Sequence, residues 1–174
     1  MLDSRFRIEP LEAHHNRRQF SCGADALDRY FTSQASQDVR RYVAAVLVLV
    51  DTDEERVAGF YTLSSFTVQS GDLPLSASRK LPRYPLIPTV LLGRLAVDLS
   101  YQRRGLGGHL LNDALRRALR QSPHIGSWAV IVDAKDDQAR AFYEQYGFVR
   151  FTDEQHRLFL PMQTIARLFP DVLG

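Results

Sequence analysis

A glycine-rich turn is the part of the chain best suited to hold a phosphate; it reads Gln102-Arg103-Arg104-Gly105-Leu106-Gly107-Gly108. It follows an apolar run at residues 90–97 and opens an amphipathic pattern typical of a helix. Because glycine has no Cβ, a ligand can approach the main chain closely, and successive N–H groups can point into one concavity. At a helix N-terminus these N–H groups lack intrahelical partners, and the two arginines add positive charge. The turn is neither a Walker loop nor a dinucleotide fingerprint, so it predicts another class of phosphate or pyrophosphate site.

A second pattern lies downstream and reads Asp136-Asp137-Gln138-Ala139-Arg140-Ala141-Phe142-Tyr143-Glu144-Gln145-Tyr146-Gly147-Phe148. It predicts a helix over residues 136–146 that ends at Gly147, since glycine commonly follows the last residue of a helix. Asp136 precedes the first turn, where its carboxylate can cap free N–H groups.

Strands and helices alternate around these two patterns. Runs rich in apolar residues predict strands at residues 6–10, 44–51, 57–68, 89–98, 128–133, 148–151 and 157–160. The second and third of these should pair as an antiparallel hairpin, and residues 71–88, with four of the eight prolines, predict a surface loop.

Helical spacing of apolar residues predicts the helices. One broken helix or two short ones should span residues 24–42, with Thr32-Ser33 as a cap for a second helix. Its predicted buried stripe is Leu27, Tyr30, Phe31, Ala35, Val39 and Tyr42. A helix over residues 106–121 should bury Leu106, Leu110, Leu111, Ala114, Leu115 and Ala118, and a terminal helical turn is predicted at residues 165–169.

Composition favours a single domain over residues 1–174. A chain of this length that is 45% hydrophobic can bury roughly 70% of its unfolded surface. The single cysteine, Cys22, permits no internal disulfide, and the longest apolar run, at residues 43–50, is much shorter than the ~18 residues of a membrane span. The first residues contain no apolar signal region, so we expect a reduced, soluble, cytoplasmic protein without membrane contact.

The positive charges are unevenly distributed although the net charge is only +2. All but two of the 22 basic residues are arginine, and residues 73–97 contain no acid. That acid-free stretch carries Arg79, Lys80, Arg83 and Arg94, and further clusters lie at Arg17-Arg18, Arg40-Arg41 and Arg116-Arg117 with Arg120. These clusters are either solvated surfaces or, where several share one rim, contacts for phosphates, which arginine binds with two parallel hydrogen bonds.

The two patterns in this order resemble the signatures of the GNAT superfamily of N-acetyltransferases: Gln-x-x-Gly-x-Gly before a helix, then Asn-x-x-Ala-x-x-aromatic-Tyr-x-x-x-Gly-Phe. The resemblance covers residues 6–160. It implies an α/β fold whose mixed, mostly antiparallel sheet has six to seven strands, splayed between strands 4 and 5 and flanked by about four helices. Asp136 departs from the family's asparagine, so we expect it to cap the helix rather than contact the cofactor.

The resemblance also implies an acetyl-CoA site without a metal. The backbone of Leu95, Ala96 and Val97 would bind the pantetheine and acetyl carbonyl, and the phosphates would contact Gln102, Arg103, Arg104, Gly105, Leu106, Gly107 and Gly108. Phe142 would contact the cofactor, and Tyr143 would protonate the departing thiolate. The alternatives are plain strand core for Leu95 and Val97, and core packing with the hydroxyl at a carbonyl for Tyr143. No general base is evident, because His14, His15, His109, His124 and His156 fall in predicted loops or on exposed faces.

Four further segments, at residues 20–31, 59–64, 90–98 and 132–136, look like those of the GNAT toxins of type II toxin–antitoxin modules. This resemblance implies acetylation of the α-amine of aminoacyl-tRNA and arrest of translation. We then expect tRNA contacts at Arg40, Arg41, Arg79, Lys80, Arg83 and Arg94. An α-amine has a pKa of roughly 7.7 to 8.0, lowered further by esterification, so a missing base matters less.

The same resemblance implies a ribbon-helix-helix antitoxin as partner, and it allows a homodimer for which no segment identifies an interface. Two alternatives remain open: an acetyltransferase of a protein or small-molecule amine, which would not need the arginines, and a non-catalytic acyl-CoA-binding module, which would not need Tyr143. The sequence does not identify the amino acid on the acceptor tRNA.

Overall fold

The strands form one seven-stranded mixed sheet. The computed structural model describes residues 2–174; Met1, the first residue of the predicted domain, lies outside them. The strands are β1 (Phe6–Pro10), β2 (Ala45–Asp51), β3 (Arg56–Gln69), β4 (Leu86–Val97), β5 (Ala129–Asp133), β6 (Val149–Arg150) and β7 (Arg157–Pro161), in the order β1-β2-β3-β4-β5-β7-β6. The pairs β1/β2, β2/β3, β5/β7 and β6/β7 are antiparallel, and β4/β5 is parallel. The predicted hairpin of the second and third strands and the mixed sheet are confirmed.

The α-helices are α1 (Asp25–Arg29), α2 (Ala35–Arg40), α3 (Leu75–Ser78), α4 (Leu106–Gln121), α5 (Asp137–Gln145) and α6 (Met162–Leu168). The predicted bounds of α4 are confirmed. The loop predicted at residues 71–88 contains α3 and the start of β4, because short runs around four prolines carried no clear period. The terminal helix begins at Met162, earlier than predicted.

A π-helical turn, Tyr30–Gln34, joins α1 to α2. The prediction that Thr32 or Ser33 caps a new helix is wrong. Their hydroxyls donate back to the carbonyls of Asp28 (2.9 Å) and Arg29, within the preceding turn. Such back-bonding supplies partners for carbonyls where the helical ladder is locally irregular, so the helix widens instead of restarting.

The chain divides into two compact units. The first comprises residues up to 64 and 93–114, and the second comprises residues 65–92 and 115–174. The strands β3 and β4 and the helix α4 contribute residues to both. Among the described residues, no helix is long and apolar enough to cross a membrane.

The core of the first unit packs aromatic rings of the π turn, together with Phe20 from the segment before α1, on the sheet. Phe31 and Phe60 stack with ring centroids 4.2 Å apart, and Phe20 meets both rings edge-on. Gly59 of β3 allows close packing here, because a Cβ there would lie 2.9 Å from the Ala96 carbonyl oxygen. Tyr42, predicted to be buried, is instead 95% exposed, since the helix ends at Arg40 before it.

The core of the second unit gathers apolar residues from β5, β7 and the segments around them: Val68, Leu73, Ile87, Ala129, Ile131, Phe151 and Phe159.

All six residues of the predicted stripe on α4 are buried, together with Leu119. The helix is therefore held by its apolar face, and its polar face remains available to solvent.

Candidate active site

The glycine-rich turn has the backbone shape of an anion site. Arg103 and Gly105 adopt left-handed φ values of 65° and 73°. The Gly105 carbonyl accepts the N–H of His109 (3.4 Å), so the N–H groups of residues 106–108 form the first turn of α4 and have no intrahelical partners. A Cβ on Gly105 would meet nothing within 4 Å. The main chain at Gly105 is therefore open to a close approach by a ligand.

Gln102 holds the turn from inside. Its side-chain nitrogen donates to the carbonyls of Val97 (2.9 Å) and Cys22 (3.1 Å). An amide has only two N–H donors, so both are used, and only the carbonyl oxygen remains. That oxygen cannot donate to a phosphate, so the Gln102 side chain fixes the geometry of the turn, and a contact of Gln102 with the cofactor through its main chain stays a prediction.

Asp98 anchors the start of the same turn. Its buried carboxylate accepts the N–H groups of Ser100 (2.9 Å) and Ser21 (3.0 Å), and Arg56 donates to it at 3.3 Å. The first contact caps the 3-10 turn Leu99–Tyr101, which leads into the glycine-rich turn. The Arg56 Nε, in contrast, is buried without a partner among the described residues, so Arg56 depends strongly on this carboxylate.

A second buried carboxylate, that of Asp51, fixes Tyr101. It accepts the tyrosine hydroxyl at 2.6 Å, a bidentate contact from Arg5 at 2.6 and 2.8 Å, and main-chain N–H groups of Asp53 and Glu54. The Arg5 contact, helped by these other donors, holds the pKa of Asp51 well below its usual range. Two buried carboxylates, those of Asp51 and Asp98, thus hold the segment that leads into the turn.

Residues 95–97 end β4 next to this turn. The parallel ladder between β4 and β5 consists of Val90, Leu91 and Leu92 paired with Val130, Ile131 and Val132, whereas β4 itself continues to Val97. Ala96 is buried in the aromatic core, while Leu95 and Val97 are half-buried. Ala96 therefore packs in the core. The predicted contacts between the backbone of residues 95–97 and the acetyl carbonyl stay a prediction.

Arg94 lies beside that segment, with its guanidinium carbon 3.4 Å from the centroid of the Tyr30 ring. The Tyr30 hydroxyl donates to Asp38 at 2.9 Å. Asp98 is bound by Arg56, so it is not the partner of Arg94. Within residues 2–174 no hydrogen bond or ion pair involves the Arg94 guanidinium, which leaves its N–H donors available to a ligand.

Tyr143 lies on α5 in the second unit, in an apolar setting. Its ring is edge-on to Phe142 and Phe148, and burial raises the pKa of its phenol. Among residues 2–174 its hydroxyl has no hydrogen-bond partner, so the alternative in which it donates to a carbonyl does not apply. The hydroxyl oxygen is not among the buried polar atoms that lack a partner, so it remains accessible to a bound molecule although the ring itself is buried.

The ends of α5 match the sequence prediction. Asp136 accepts the N–H of Ala139 at 2.8 Å, which confirms that its carboxylate caps the helix. Gly147 has φ 94°, and the N–H groups of Gly147 and Phe148 donate to the carbonyls of Glu144 and Tyr143. This is a Schellman ending, and it fixes the last turn, from which Tyr143 projects.

His15 lies in the loop between β1 and α1, as predicted, but its side chain is buried. Its Nδ1 accepts the N–H of Glu12 (2.9 Å), so the ring proton must be on Nε2, which lies 2.7 Å from Glu9. Glu9, His14 and His15 are close enough to share a cation. A metal on Nε2 would require the ring proton to be on Nδ1, but Nδ1 already accepts the N–H of Glu12. In addition, the Glu9 carboxylate accepts a hydrogen bond from Arg7. The arrangement fits a structural histidine rather than a metal site.

The arginine clusters separate into two groups. Arg17 donates to the Phe31 carbonyl and to Ser36, and Arg116 pairs with Asp171, so these positions of the predicted clusters contribute to the fold. Five further residues were predicted to contact tRNA: Arg40, Arg41, Arg79, Lys80 and Arg83. All five are exposed, and within residues 2–174 none of them forms an ion pair.

Known proteins resemble the chain along most of its length. A family model described as the acetyltransferase (GNAT) domain matches residues 87–166. The probable toxin TacT of Sinorhizobium fredii is 32% identical over 169 residues, which cover 92% of this chain and 93% of TacT. The chain belongs to the GNAT acetyltransferases. A tRNA-acetylating toxin of Mycobacterium tuberculosis is 39% identical over 142 residues, or 81% of this chain and 83% of that toxin. The two sequence patterns are therefore confirmed as GNAT signatures, and the protein is an acetyl-CoA-dependent N-acetyltransferase of the toxin branch.

Solved structures agree with this assignment. A KacT mutant in which phenylalanine replaces a tyrosine superposes with a TM-score of 0.89 at 31% identity, over 95% of this chain and 99% of KacT. AtaT complexed with acetyl-methionyl-tRNAfMet gives a TM-score of 0.87 at 32% identity, over 94% and 99%. A tyrosine-to-phenylalanine mutant of AtaT bound to acetyl-CoA and to the C-terminus of the antitoxin AtaR gives 0.81 at 28% identity, over 95% and 98%.

Proposed function

We propose that this protein is the toxin of a toxin–antitoxin pair and transfers the acetyl group of acetyl-CoA to the α-amine of an aminoacyl-tRNA, which blocks translation. The similarity to tRNA-acetylating toxins over most of the chain carries the proposal. The geometry of the two signature motifs and the unpaired arginines support it.

The acetyl-CoA pyrophosphate is assigned to the N-terminus of α4. The N–H groups of residues 106–108 lack intrahelical partners, the space around the Gly105 Cα is open, and Arg103 and Arg104 are exposed. Arg104 is braced by the Ser100 carbonyl (3.3 Å) and by the Tyr101 ring, so its charge is held near the turn. Unpaired N–H groups, the helix dipole and two guanidinium groups together suit a pyrophosphate.

Tyr143 is assigned as the general acid. The amine nitrogen forms a bond to the acetyl carbon, the carbon–sulfur bond breaks, and the Tyr143 hydroxyl gives its proton to the thiolate; the proton lost by the amine restores the phenol. The raised pKa keeps Tyr143 protonated at neutral pH. The raised pKa also weakens the phenol as an acid, so the transfer is favoured only if the bound thiolate lies in the same apolar setting, where desolvation raises the pKa of the thiol as well.

The acceptor amine needs little help to lose its proton. An α-amine whose carboxyl is esterified has a pKa below roughly 7.7, so much of it is neutral near pH 7. His15 is not free to act as a base, because both of its ring nitrogens already form hydrogen bonds, with Glu12 and Glu9. The site is therefore consistent with an acceptor that arrives as the free base.

The tRNA contacts are assigned to the arginines that the fold does not use. Arg79, Lys80 and Arg83 lie on an exposed, acid-free segment, and Tyr84 next to them is also exposed. Arg94 offers unpartnered donors beside residues 95–97. Free guanidinium groups bind phosphates with two parallel hydrogen bonds, whereas paired ones would first have to break an ion pair.

We further assign a ribbon-helix-helix antitoxin as the partner that holds the enzyme inactive. The relative AtaT is bound to the C-terminus of its antitoxin AtaR in a solved structure. Copurification of this chain with the product of an adjacent reading frame, and loss of acetyl transfer in that complex, would test the assignment. A cytoplasmic location and a homodimer are included in the proposal, and the oligomeric state is measurable by sedimentation.

Acetyl transfer from labelled acetyl-CoA to a mixed pool of charged tRNAs tests the main proposal. The same tRNAs after deacylation, and the Tyr143→Phe protein, are the controls. We expect label on charged tRNA alone and a loss of about 10²- to 10⁴-fold in rate with phenylalanine. Label on peptides or polyamines but not on charged tRNA would refute the proposed acceptor, and full activity of Tyr143→Phe would refute the proposed acid.

A further inference from the structure

Tyr42 is an anomaly that the assigned site does not explain. Its side chain is 95% exposed, and its φ of 58° is left-handed. It follows the helix α2 at the position where glycine usually ends a helix, with its N–H bonded to the Val39 carbonyl at 3.1 Å. A bulky residue with this φ is strained, and here the strain brings no burial in return.

Two exposed cations precede this ring. Arg40 and Arg41 end α2, and among residues 2–174 neither guanidinium forms a hydrogen bond or an ion pair. The nearest acid along the helix is Asp38, whose carboxylate already accepts Gln34 (3.0 Å) and the Tyr30 hydroxyl. An exposed aromatic face beside two unpaired arginines matches the alternation of base and phosphate in a single strand of nucleic acid.

Asp38 links the turn at Tyr42 to Arg94 on β4. Its main-chain carbonyl accepts the N–H of Val43 at 2.9 Å, and its carboxylate holds Tyr30, on which Arg94 stacks. The charges of Arg94 and Arg41 both act on this carboxylate. Asp38 thus links the turn that carries Tyr42 to Tyr30 and Arg94, and Arg94 directly precedes residues 95–97 in β4.

We propose that Tyr42 stacks on an unpaired base in the single-stranded 3′ end of the aminoacyl-tRNA while Arg40 and Arg41 hold the flanking phosphates. This inference rests on the proposed function. A stacked base provides the contact that the exposed ring lacks, and it makes the strained backbone position useful.

Steady-state acetylation of charged tRNA by four variants tests the inference. In Tyr42→Ala and Tyr42→Gly we expect the KM for charged tRNA to rise about 5- to 150-fold, the range that base stacking supplies. Tyr42→Phe keeps the ring and should retain the normal KM. Ile125→Ala removes an apolar side chain that is 75% exposed and has no arginine beside it, so it is the matched control. The KM for acetyl-CoA should be unchanged throughout.

Thermal melting separates this role from a structural one. Glycine relieves the left-handed strain, so Tyr42→Gly should melt no lower than the original protein while it binds charged tRNA less well. An unchanged KM for charged tRNA in Tyr42→Ala would overturn the inference. So would a change confined to antitoxin binding or to the dimer, which would assign the ring to a protein partner. If the original protein acetylates no charged tRNA, the proposed function itself fails, and that result precedes any variant.

Discussion

Replacement of Asp98 by asparagine should loosen the turn that carries the proposed pyrophosphate site. The Asp98 carboxylate accepts two main-chain N–H groups, of Ser21 and Ser100, and pairs with Arg56. Asparagine keeps one oxygen and puts an NH2 group in place of the other. That NH2 group must face a donor, since all three partners of the carboxylate donate hydrogen bonds.

The magnitude follows from the burial of the pair. Removing one partner of a buried ion pair costs about 3–5 kcal/mol because the other charge is left uncompensated. Asp98 is buried, but the Arg56 side chain is 33% exposed, and solvent screens that part of the interaction. We therefore expect Asp98→Asn to lower the free energy of unfolding by about 2–3 kcal/mol.

Guanidinium chloride unfolding measures this loss as a lower midpoint at unchanged slope. The Asp25→Asn variant, which changes an exposed acid that has no ion-pair partner among residues 2–174, should unfold like the original protein. A double-mutant cycle with Arg56→Met should give a coupling of at least about 1 kcal/mol between the two side chains. Acetyl-CoA binding should weaken as well, because the 3-10 turn before Gln102 loses its cap.

Either of two results would refute this reasoning. A coupling energy close to zero would mean that Arg56 does not depend on the Asp98 carboxylate. A normal affinity for acetyl-CoA in a clearly destabilised Asp98→Asn protein would mean that the buried carboxylate supports the fold without positioning the turn.

Three further expectations concern the same elements. The depressed pKa of Asp51 implies stability that is present above about pH 4 and is lost as the pH falls toward its folded pKa. Asp51→Asn should therefore be less stable by about 2–4 kcal/mol at neutral pH, with the difference shrinking in urea titrations at lower pH. Gly105→Ala should lose about 1–2 kcal/mol from its left-handed φ of 73° and bind acetyl-CoA less well, whereas Gly126→Ala, in open space with an ordinary φ, should do neither. Because burial raises the pKa of Tyr143, ionisation of this phenol should not lower kcat below about pH 10. A fall in kcat below that pH in the original protein, but not in Tyr143→Phe, would contradict the burial of Tyr143.

Sequence patterns predicted the elements whose periodicity is long and regular. The helix α4 was predictable because its apolar stripe repeats over four turns, and β2 and β3 because apolar runs are separated by an acidic turn. The boundaries near residues 70–88 were not predictable, since prolines and short runs there fit a loop as well as a helix. The π turn at Tyr30–Gln34 has no sequence period of its own.

The candidate site shows the same division. Glycines and the Tyr143 motif are visible in the sequence because backbone shape and a fixed spacing require them. The supports of the turn are not visible, because Asp51 and Asp98 reach it from positions that are distant in sequence or that resemble ordinary turn residues. The burial of His15 was not visible for a related reason: its side chain contacts Glu9 and Glu12, which come together around it only in the folded chain.

The arginines differ in whether the fold already supplies a partner for the guanidinium. In the sequence, Arg17, Arg40 and Arg116 look equivalent, since each is part of a local basic cluster. In the structure, Arg17 and Arg116 have protein partners, and Arg40 has none within residues 2–174. A guanidinium without a partner keeps its full capacity for a phosphate, whereas a paired one must exchange one anion for another. We therefore expect the unpaired arginines, together with the exposed ring of Tyr42, to contribute most to the binding of an RNA acceptor.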